Sequence, residues 1–124
     1  MSDDINQTVN EKPHEYLFEV EGCYITEVSN DPSDPELSIA KARVPAGVTT
    51  QWHKLKSTTE RYYILSGTGV VEVGDEPQRD VTAGDVVVIQ SMVRQRIKNN
   101  GREDLIFLAL CTPRFELENY LSAQ

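Results

Sequence analysis

One histidine and one glutamate are the residues whose types and spacing could do chemistry in this chain. His53 and Glu60 both fall within residues 47–67, where two strand-like runs are bounded by glycine turns. An imidazole and a carboxylate brought together in an apolar interior could hold a metal ion, and the carboxylate could also transfer a proton. We therefore take these two residues as the centre of the candidate site.

The neighbours of His53 and Glu60 follow from strand geometry, since side chains alternate between the two faces of a strand. The alternation predicts two inward-facing sets: Gln51, His53 and Leu55 on the first run, and Glu60, Tyr62 and Ile64 on the second. A hairpin would bring these sets together. Trp52 and Tyr63 then face outward, where Trp52 suits sheet packing or a subunit interface.

Two of the inward positions allow a functional and an ordinary interpretation. The Tyr62 phenol could donate to a substrate oxygen and act beside Glu60 as a catalytic group, or its ring could simply pack with the hydroxyl at the barrel mouth. Gln51 could line the path of a ligand, or it could lie in solvent.

The rest of the chain contains many short strand-like runs separated by turn residues. They cover residues 15–20, 23–28, 37–44, 69–73, 86–89, 94–98 and 105–110. This pattern predicts an all-β antiparallel barrel or sandwich. Three local features add detail. The β-branched run 86–89 predicts a fully buried strand, Asn99-Asn100-Gly101 predicts a hairpin turn, and the stripe after Pro113 predicts a short C-terminal helix.

Length and charge restrict the classes of function. We predict a flexible N-terminal tail over residues 1–12 and a single domain over 13–124. The net charge of -8 argues against nucleic acid and anionic membranes as partners, and no apolar run approaches the roughly 20 residues that span a bilayer. The acidic, polar first residues predict no secretory signal and a cytoplasmic location.

For the remaining cysteine, histidine and basic side chains we expect structural roles. Cys23 and Cys111 are expected to be buried thiols, and His14 to be exposed. With only two histidines, three imidazoles cannot meet within one chain. One strand face carries a basic stripe of Arg94, Arg96 and Lys98. We expect these side chains to form salt bridges with nearby acids, and the alternative is that they bind an anion or a partner.

Two spaced motifs within residues 47–99 make the sequence similar to the cupin superfamily, small β-barrels of the jelly-roll type. The first family motif is G-x5-H-x-H-x(3-4)-E-x6-G, and its matches here are Gly47, His53, Glu60 and Gly67. Leu55 takes the place of the second histidine. The second motif is G-x5-P-x-G-x2-H-x3-N. Gly84 and Asn99 match it, while the proline, glycine and histidine are replaced by Gln90, Met92 and Gln95.

The resemblance implies a candidate metal centre. Metal-bearing cupins use the motif histidines and glutamate as ligands, which carries over here to His53, Glu60 and Gln95. This mixed set would suit a divalent transition metal such as Fe, Mn, Ni or Zn. The alternative is a metal-free cluster in which the three side chains hydrogen-bond one another.

The functional expectation has two forms. One is a metal-dependent oxygenase, isomerase or decarboxylase acting on a small organic molecule, with Glu60 or Tyr62 as catalytic groups and Gln51, Tyr62 and Gln95 near the ligand. The alternative is a metal-free cupin that binds a small molecule without catalysis. A purely structural unit gives no reason for polar residues at the ligand positions. We also predict a homodimer, because edge strands favour pairing with a partner.

Overall fold

A computed structural model describes residues 13–123, so the predicted tail and Gln124 lie outside the described residues. The described chain is almost entirely β-structure. Its strands are β1 (Glu15–Phe18), β2 (Cys23–Ser29), β3 (Ser38–Val44), β4 (His53–Leu55), β5 (Thr59–Ser66), β6 (Thr68–Val73), β7 (Arg79–Thr82), β8 (Val86–Ile89), β9 (Gln95–Lys98), β10 (Leu105–Thr112) and β11 (Tyr120–Ser122). Within residues 13–123, no helix has the length and apolar character needed to cross a membrane.

Two antiparallel sheets face each other. One has six strands in the order β1-β2-β3-β10-β5-β8, and the other has five in the order β11-β4-β9-β6-β7. The predicted all-β jelly-roll architecture is therefore confirmed. Because β4 and β5 lie in different sheets, His53 and Glu60 meet across the interior rather than within the hairpin that the sequence predicted.

The core lies between the sheets and is built from the inward face of each strand. Ile64, Ile97, Leu105 and Phe107 are all at most 3% exposed. The two sheets join tightly at Gly67, the single residue between β5 and β6. This residue has a φ of 86°, and an added Cβ would lie 2.5 Å from the backbone oxygen of Asp104. Only glycine fits this turn without displacing the neighbouring backbone.

The prediction of a fully buried strand at residues 86–89 is wrong. Val86 and Val88 are 59% and 52% exposed, whereas Ile89 is buried. The reason is that each of the two sheets packs on the core with one face only, so Val87 and Ile89 face inward while Val86 and Val88 remain in solvent. The valine run reflects how well β-branched residues fit an extended backbone, and it does not require burial on both faces.

The prediction of a hairpin at Asn99-Asn100-Gly101 is also wrong. The strands on either side, β9 and β10, belong to different sheets, so the turn crosses between them. Asn99 is fully buried. Its Nδ2 donates to the backbone oxygens of Val44 at 2.8 Å and Glu103 at 2.7 Å, and its Oδ1 accepts from the Gly101 N–H at 2.9 Å. Asn99 thus ties its own loop to the end of β3.

The C-terminal segment forms a 3-10 turn and a strand instead of the predicted helix. The turn is Leu117–Asn119, and β11 follows it directly. Pairing with β4 explains the outcome, because β4 otherwise leaves its edge open. The Lys56 N–H donates to the Asn119 oxygen at 2.8 Å, and the Ala123 N–H donates to the Trp52 oxygen at 3.0 Å. These backbone bonds outweigh the predicted helical stripe, which consists only of Phe115, Leu117, Tyr120 and Leu121.

The outer face of the five-stranded sheet carries the basic stripe. Arg94 pairs with Asp75 at 3.4 Å and Arg96 with Glu72 at 2.6 Å, which confirms the predicted salt bridges for these two arginines. Both guanidinium groups also lie over the ring of Trp52, at 4.2 and 4.5 Å from its centroid. Such cation–π contacts hold the indole against the sheet.

The smaller expectations have mixed outcomes. Cys23 and Cys111 are free and buried, and His14 is exposed, all as predicted. The predicted homodimer stays a prediction. The edge that such pairing would use is present at β1, where Tyr16 and Leu17 are about half exposed.

Candidate functional site

His53 begins β4 and points into the space between the sheets, where it is 3% exposed. Its Nδ1 lies 2.9 Å from the backbone oxygen of Gln51. A carbonyl can only accept, so Nδ1 carries the proton and Nε2 is left with a free lone pair. Burial lowers the pKa of His53, although the charge of Glu60 and the bond to Gln51 oppose this. A neutral imidazole with a defined tautomer results.

Glu60 lies on β5 and is held by a chain of buried hydrogen bonds. Gln95 Nε2 donates to Glu60 Oε1 at 2.8 Å, and the Tyr62 hydroxyl donates to Gln95 Oε1. The Cys111 thiol lies 3.8 Å from the other carboxyl oxygen. Burial raises the pKa of Glu60 to about 7, against the opposing effects of His53 and Gln95. The network thus orients a carboxyl group that is easily protonated near neutral pH.

The three predicted metal ligands do not form a metal-binding face in this arrangement. Both ends of the Gln95 amide are engaged, by Tyr62 and by Glu60, and Leu55 offers no donor atom. Among residues 13–123, no three His, Cys, Asp or Glu side chains come together as a metal site. The donor set therefore does not fit a divalent metal, and metal binding stays a prediction from the family resemblance.

Two residues of the site were missed by the sequence analysis. Glu21 lies in the turn before β2, and its Oε2 is 3.6 Å from His53 Nε2. Tyr120, on β11, stacks on the His53 ring with centroids 4.9 Å apart and planes 13° apart. Extending the alternation of β2 one step backwards from Cys23 would have placed Glu21 inward. No comparable signal existed for Tyr120, because its position depends on β11 pairing with β4.

Glu21 and Tyr120 influence each other's ionisation. Burial raises the pKa of Glu21 to about 7, against the opposing effects of the Tyr120 hydroxyl and the Cys23 thiol. The Tyr120 hydroxyl is near enough to Glu21 to have this effect, yet its oxygen is buried and completes no hydrogen bond within the described chain. This corner of the site therefore contains polar groups that have not been satisfied by the protein.

A cavity of about 290 Å³ opens between the sheets at this corner. His53, Glu60, Glu21 and Tyr120 line it together with mostly apolar side chains. Other predicted site residues lie elsewhere. Tyr62 points inward as predicted, but with Gln95 it is buried beside the cavity without lining it; Gln51 is exposed and bonds to Ser122 Oγ at 3.0 Å.

The pH dependence of stability should report the buried carboxyl groups. We expect the free energy of unfolding to fall as the pH rises from about 5 to about 8. Glu21 and Glu60 have folded-state pKa values raised to about 7. The stability that these two protonated carboxyl groups give to the fold is fully present below their pKa in the unfolded chain, near 4.5. It is lost as the pH rises through about 7, where they ionise in the folded protein. His53 opposes part of this, because its lowered pKa stabilises the fold as the pH rises towards about 6.5.

Urea denaturation across this pH range checks the prediction. Glu60→Gln keeps the shape but cannot ionise, so it should flatten the dependence. Glu36→Gln, at an exposed position, is the control and should leave it unchanged. An unfolding free energy that rises steadily over the range would contradict the assignment of buried, easily protonated carboxyls.

Comparison with known proteins agrees with the architecture. A family model described as a cupin domain matches residues 40–111. An uncharacterized protein of Methanocaldococcus jannaschii is 34% identical over 82 residues, which cover 66% of this chain and 65% of that protein. An oxalate-binding protein of Thermotoga maritima is 38% identical over 73 residues, which cover 57% of this chain and 58% of that protein. The chain thus matches less than two thirds of the length of each curated relative.

A solved structure gives the same result. The crystal structure of a predicted oxalate decarboxylase from Thermotoga maritima superposes with a TM-score of 0.71 at 25% sequence identity. The match covers 82% of this chain and 92% of that one. The two-sheet barrel described above is thus shared with that protein.

Proposed function

Because this chain belongs to the cupin domain family, we propose that it binds a small organic molecule in the cavity between its sheets and holds it against His53 and Glu60. The observation that carries the proposal is the state of His53. Its Nδ1 is committed to Gln51, while Nε2 faces the cavity without a hydrogen bond from any described residue. An acceptor that opens onto the cavity in this way is available to a hydrogen-bond donor on a bound molecule.

The composition of the cavity suits this role. Ligand sites are commonly concave and mostly apolar, with a few polar groups that fix orientation. Leu55, Ala109 and Phe115 supply apolar surface here, and His53 and Glu60 supply the polar groups. The volume of about 290 Å³ restricts the ligand to a small molecule.

Proton-transfer catalysis is a second candidate, favoured by the tautomer of His53. A neutral imidazole whose Nε2 faces the cavity can accept a proton from a bound molecule, and stacking on Tyr120 keeps the ring in place. Glu60 is a candidate acid or base on the opposite wall. Tyr62, the other predicted catalytic residue, would act only by positioning Glu60 through Gln95.

Oxalate is a poor candidate for the metal-free cavity. The Thermotoga relatives are named for oxalate, which is a dianion at neutral pH. In this chain three carboxyl groups line the cavity, from Glu21, Glu27 and Glu60, and no lysine or arginine of the described chain does so. Like charges disfavour each other in a low-dielectric site.

Metal content distinguishes a metal-dependent enzyme from a metal-free binding protein. We expect protein purified without a tag to hold less than stoichiometric Fe, Mn, Ni or Zn by plasma mass spectrometry, because Gln95 is engaged and Leu55 replaces a ligand. His53→Ala should then leave the metal content unchanged. Stoichiometric metal that disappears in His53→Ala would contradict this expectation and restore the metal-dependent enzyme.

A fragment screen by NMR tests the binding proposal directly. Small molecules that bind should shift the backbone amides of cavity residues such as Leu55, Glu60 and Cys111. Ala109→Leu fills the cavity and should abolish those shifts, whereas Ala46→Leu, at an exposed turn, should preserve them. If no fragment shifts the cavity amides, or if the shifts persist in Ala109→Leu, the proposal fails.

A further inference from the structure

Four polar groups of the cavity are hydrogen-bond acceptors. Glu21, Glu27 and Glu60 contribute carboxyl groups, and His53 contributes Nε2. The hydroxyls of Tyr16, Ser38 and Tyr120 can either donate or accept, and that of Tyr120 lies beside Glu21. A molecule that enters this space therefore meets three carboxyl groups and an imidazole acceptor, and the described chain provides no cationic side chain in the lining to pair with them.

Several of these acceptors have not been satisfied by the protein. His53 is 3% exposed, and its Nε2 is 3.6 Å from Glu21 Oε2, beyond hydrogen-bond range. The second oxygen of Glu60 contacts only the Cys111 thiol at 3.8 Å, and Glu21 Oε1 contacts only the Cys23 thiol at 3.8 Å. Thiols are weak donors. The ligand that satisfies these groups must bring its own donors.

Aromatic rings form part of the cavity wall next to the acids. Phe18 packs edge-on against Tyr120 with centroids 5.4 Å apart, and Tyr16 and Phe115 also line the space. The face of an aromatic ring attracts cations, and this attraction is strongest where water is excluded. Aromatic walls and carboxyl groups thus favour the same kind of ligand.

We propose that the ligand is a small protonated amine with an apolar body, whose ammonium group lies between Glu21, Glu60 and His53. The inference rests on the proposed function, because the amine occupies the same cavity. An ammonium ion supplies up to three donors to the three free acceptors. It also favours the ionised form of the buried carboxyl groups, which burial alone opposes. Glu27 adds a third negative charge, and the apolar body packs against Leu55 and Phe115.

Three probes of matched shape test the inference: benzylamine, benzyl alcohol and benzoate. Each is titrated into the full chain at about pH 7.5, with NMR shifts of the cavity amides as the readout. We expect benzylamine to bind at least about tenfold more tightly than benzyl alcohol, which corresponds to ~1.4 kcal/mol, and benzoate to bind most weakly.

Matched variants locate the charge effect. Glu27→Gln should weaken benzylamine binding several-fold and leave benzyl alcohol binding unchanged, because it removes a charge without changing the shape. Glu36→Gln removes an equivalent charge from an exposed site outside the cavity and should affect neither probe.

The outcomes separate this inference from the proposed function. If benzyl alcohol or benzoate binds in the cavity as tightly as benzylamine, the cavity is a ligand site but the preference for an amine is overturned. If none of the three shifts the cavity amides, the amine inference is overturned, and the fragment screen with Ala109→Leu decides the proposed function independently. Equal weakening by Glu27→Gln and Glu36→Gln would attribute any amine preference to general surface charge and would also overturn the inference.

Discussion

Replacing Gln95 by alanine should reduce the free energy of unfolding by about 3–5 kcal/mol. Gln95 is fully buried and makes two hydrogen bonds with its side chain, one to Glu60 and one from Tyr62. Truncation leaves a buried carboxyl and a buried hydroxyl without partners, and it also opens a void in the core. Each of these effects is destabilising by itself, and they arise at the same place. Urea denaturation at neutral pH measures the loss.

The control for Gln95→Ala is Gln78→Ala, since Gln78 is exposed in the turn before β7. It should change stability by no more than about 0.5 kcal/mol. A loss below about 1 kcal/mol for Gln95→Ala would mean that water replaces the amide, and that the Tyr62–Gln95–Glu60 chain is not a structural network.

Asn99→Ala should be of similar severity, with a loss of about 3 kcal/mol or more. The substitution removes both hydrogen bonds that Asn99 donates, to Val44 and Glu103, and the one that it accepts from Gly101. These backbone groups lie where the chain crosses from one sheet to the other. Losing them loosens the crossing and leaves polar groups unpaired.

The neighbouring residue provides a matched comparison for Asn99. Asn100 has the same side chain, but it is exposed and accepts only one long contact, from Thr68 Oγ1 at 3.4 Å. Asn100→Ala should therefore be nearly neutral in the same urea experiment. Equal losses for the two variants would show that the crossing does not depend on buried hydrogen bonds.

The two motifs predicted the fold because several of their matched positions have a local physical reason. Gly67 is required by a positive φ and a close backbone approach, and Asn99 by backbone groups that need partners, while strand alternation turns His53 and Glu60 inward. Such requirements are visible in the sequence as fixed residue types at fixed intervals. The predicted faces of His53, Leu55, Glu60 and Tyr62 were correct for the same reason.

What could not be predicted depends on contacts between distant segments. Alternation indicates that Tyr62 faces inward, but it does not indicate that Tyr62 bonds to Gln95 and that neither residue lines the cavity. Alternation also predicted that Gln51 shares the inward face of His53. However, β4 begins only at His53, so the alternation does not extend back to Gln51. Tyr120 reaches the site because β11 pairs with β4, which no local pattern of apolar residues around residue 120 could show.

The position of Trp52 has a spectroscopic consequence. It is the only tryptophan of the chain, so the indole fluorescence of the protein comes from one ring beside two guanidinium groups. Its backbone oxygen accepts a hydrogen bond from Ala123, and the next residue is His53. Emission from Trp52 can therefore report separation of β11 from β4 without any added label. The same emission reports movement of the cavity wall that contains Tyr120.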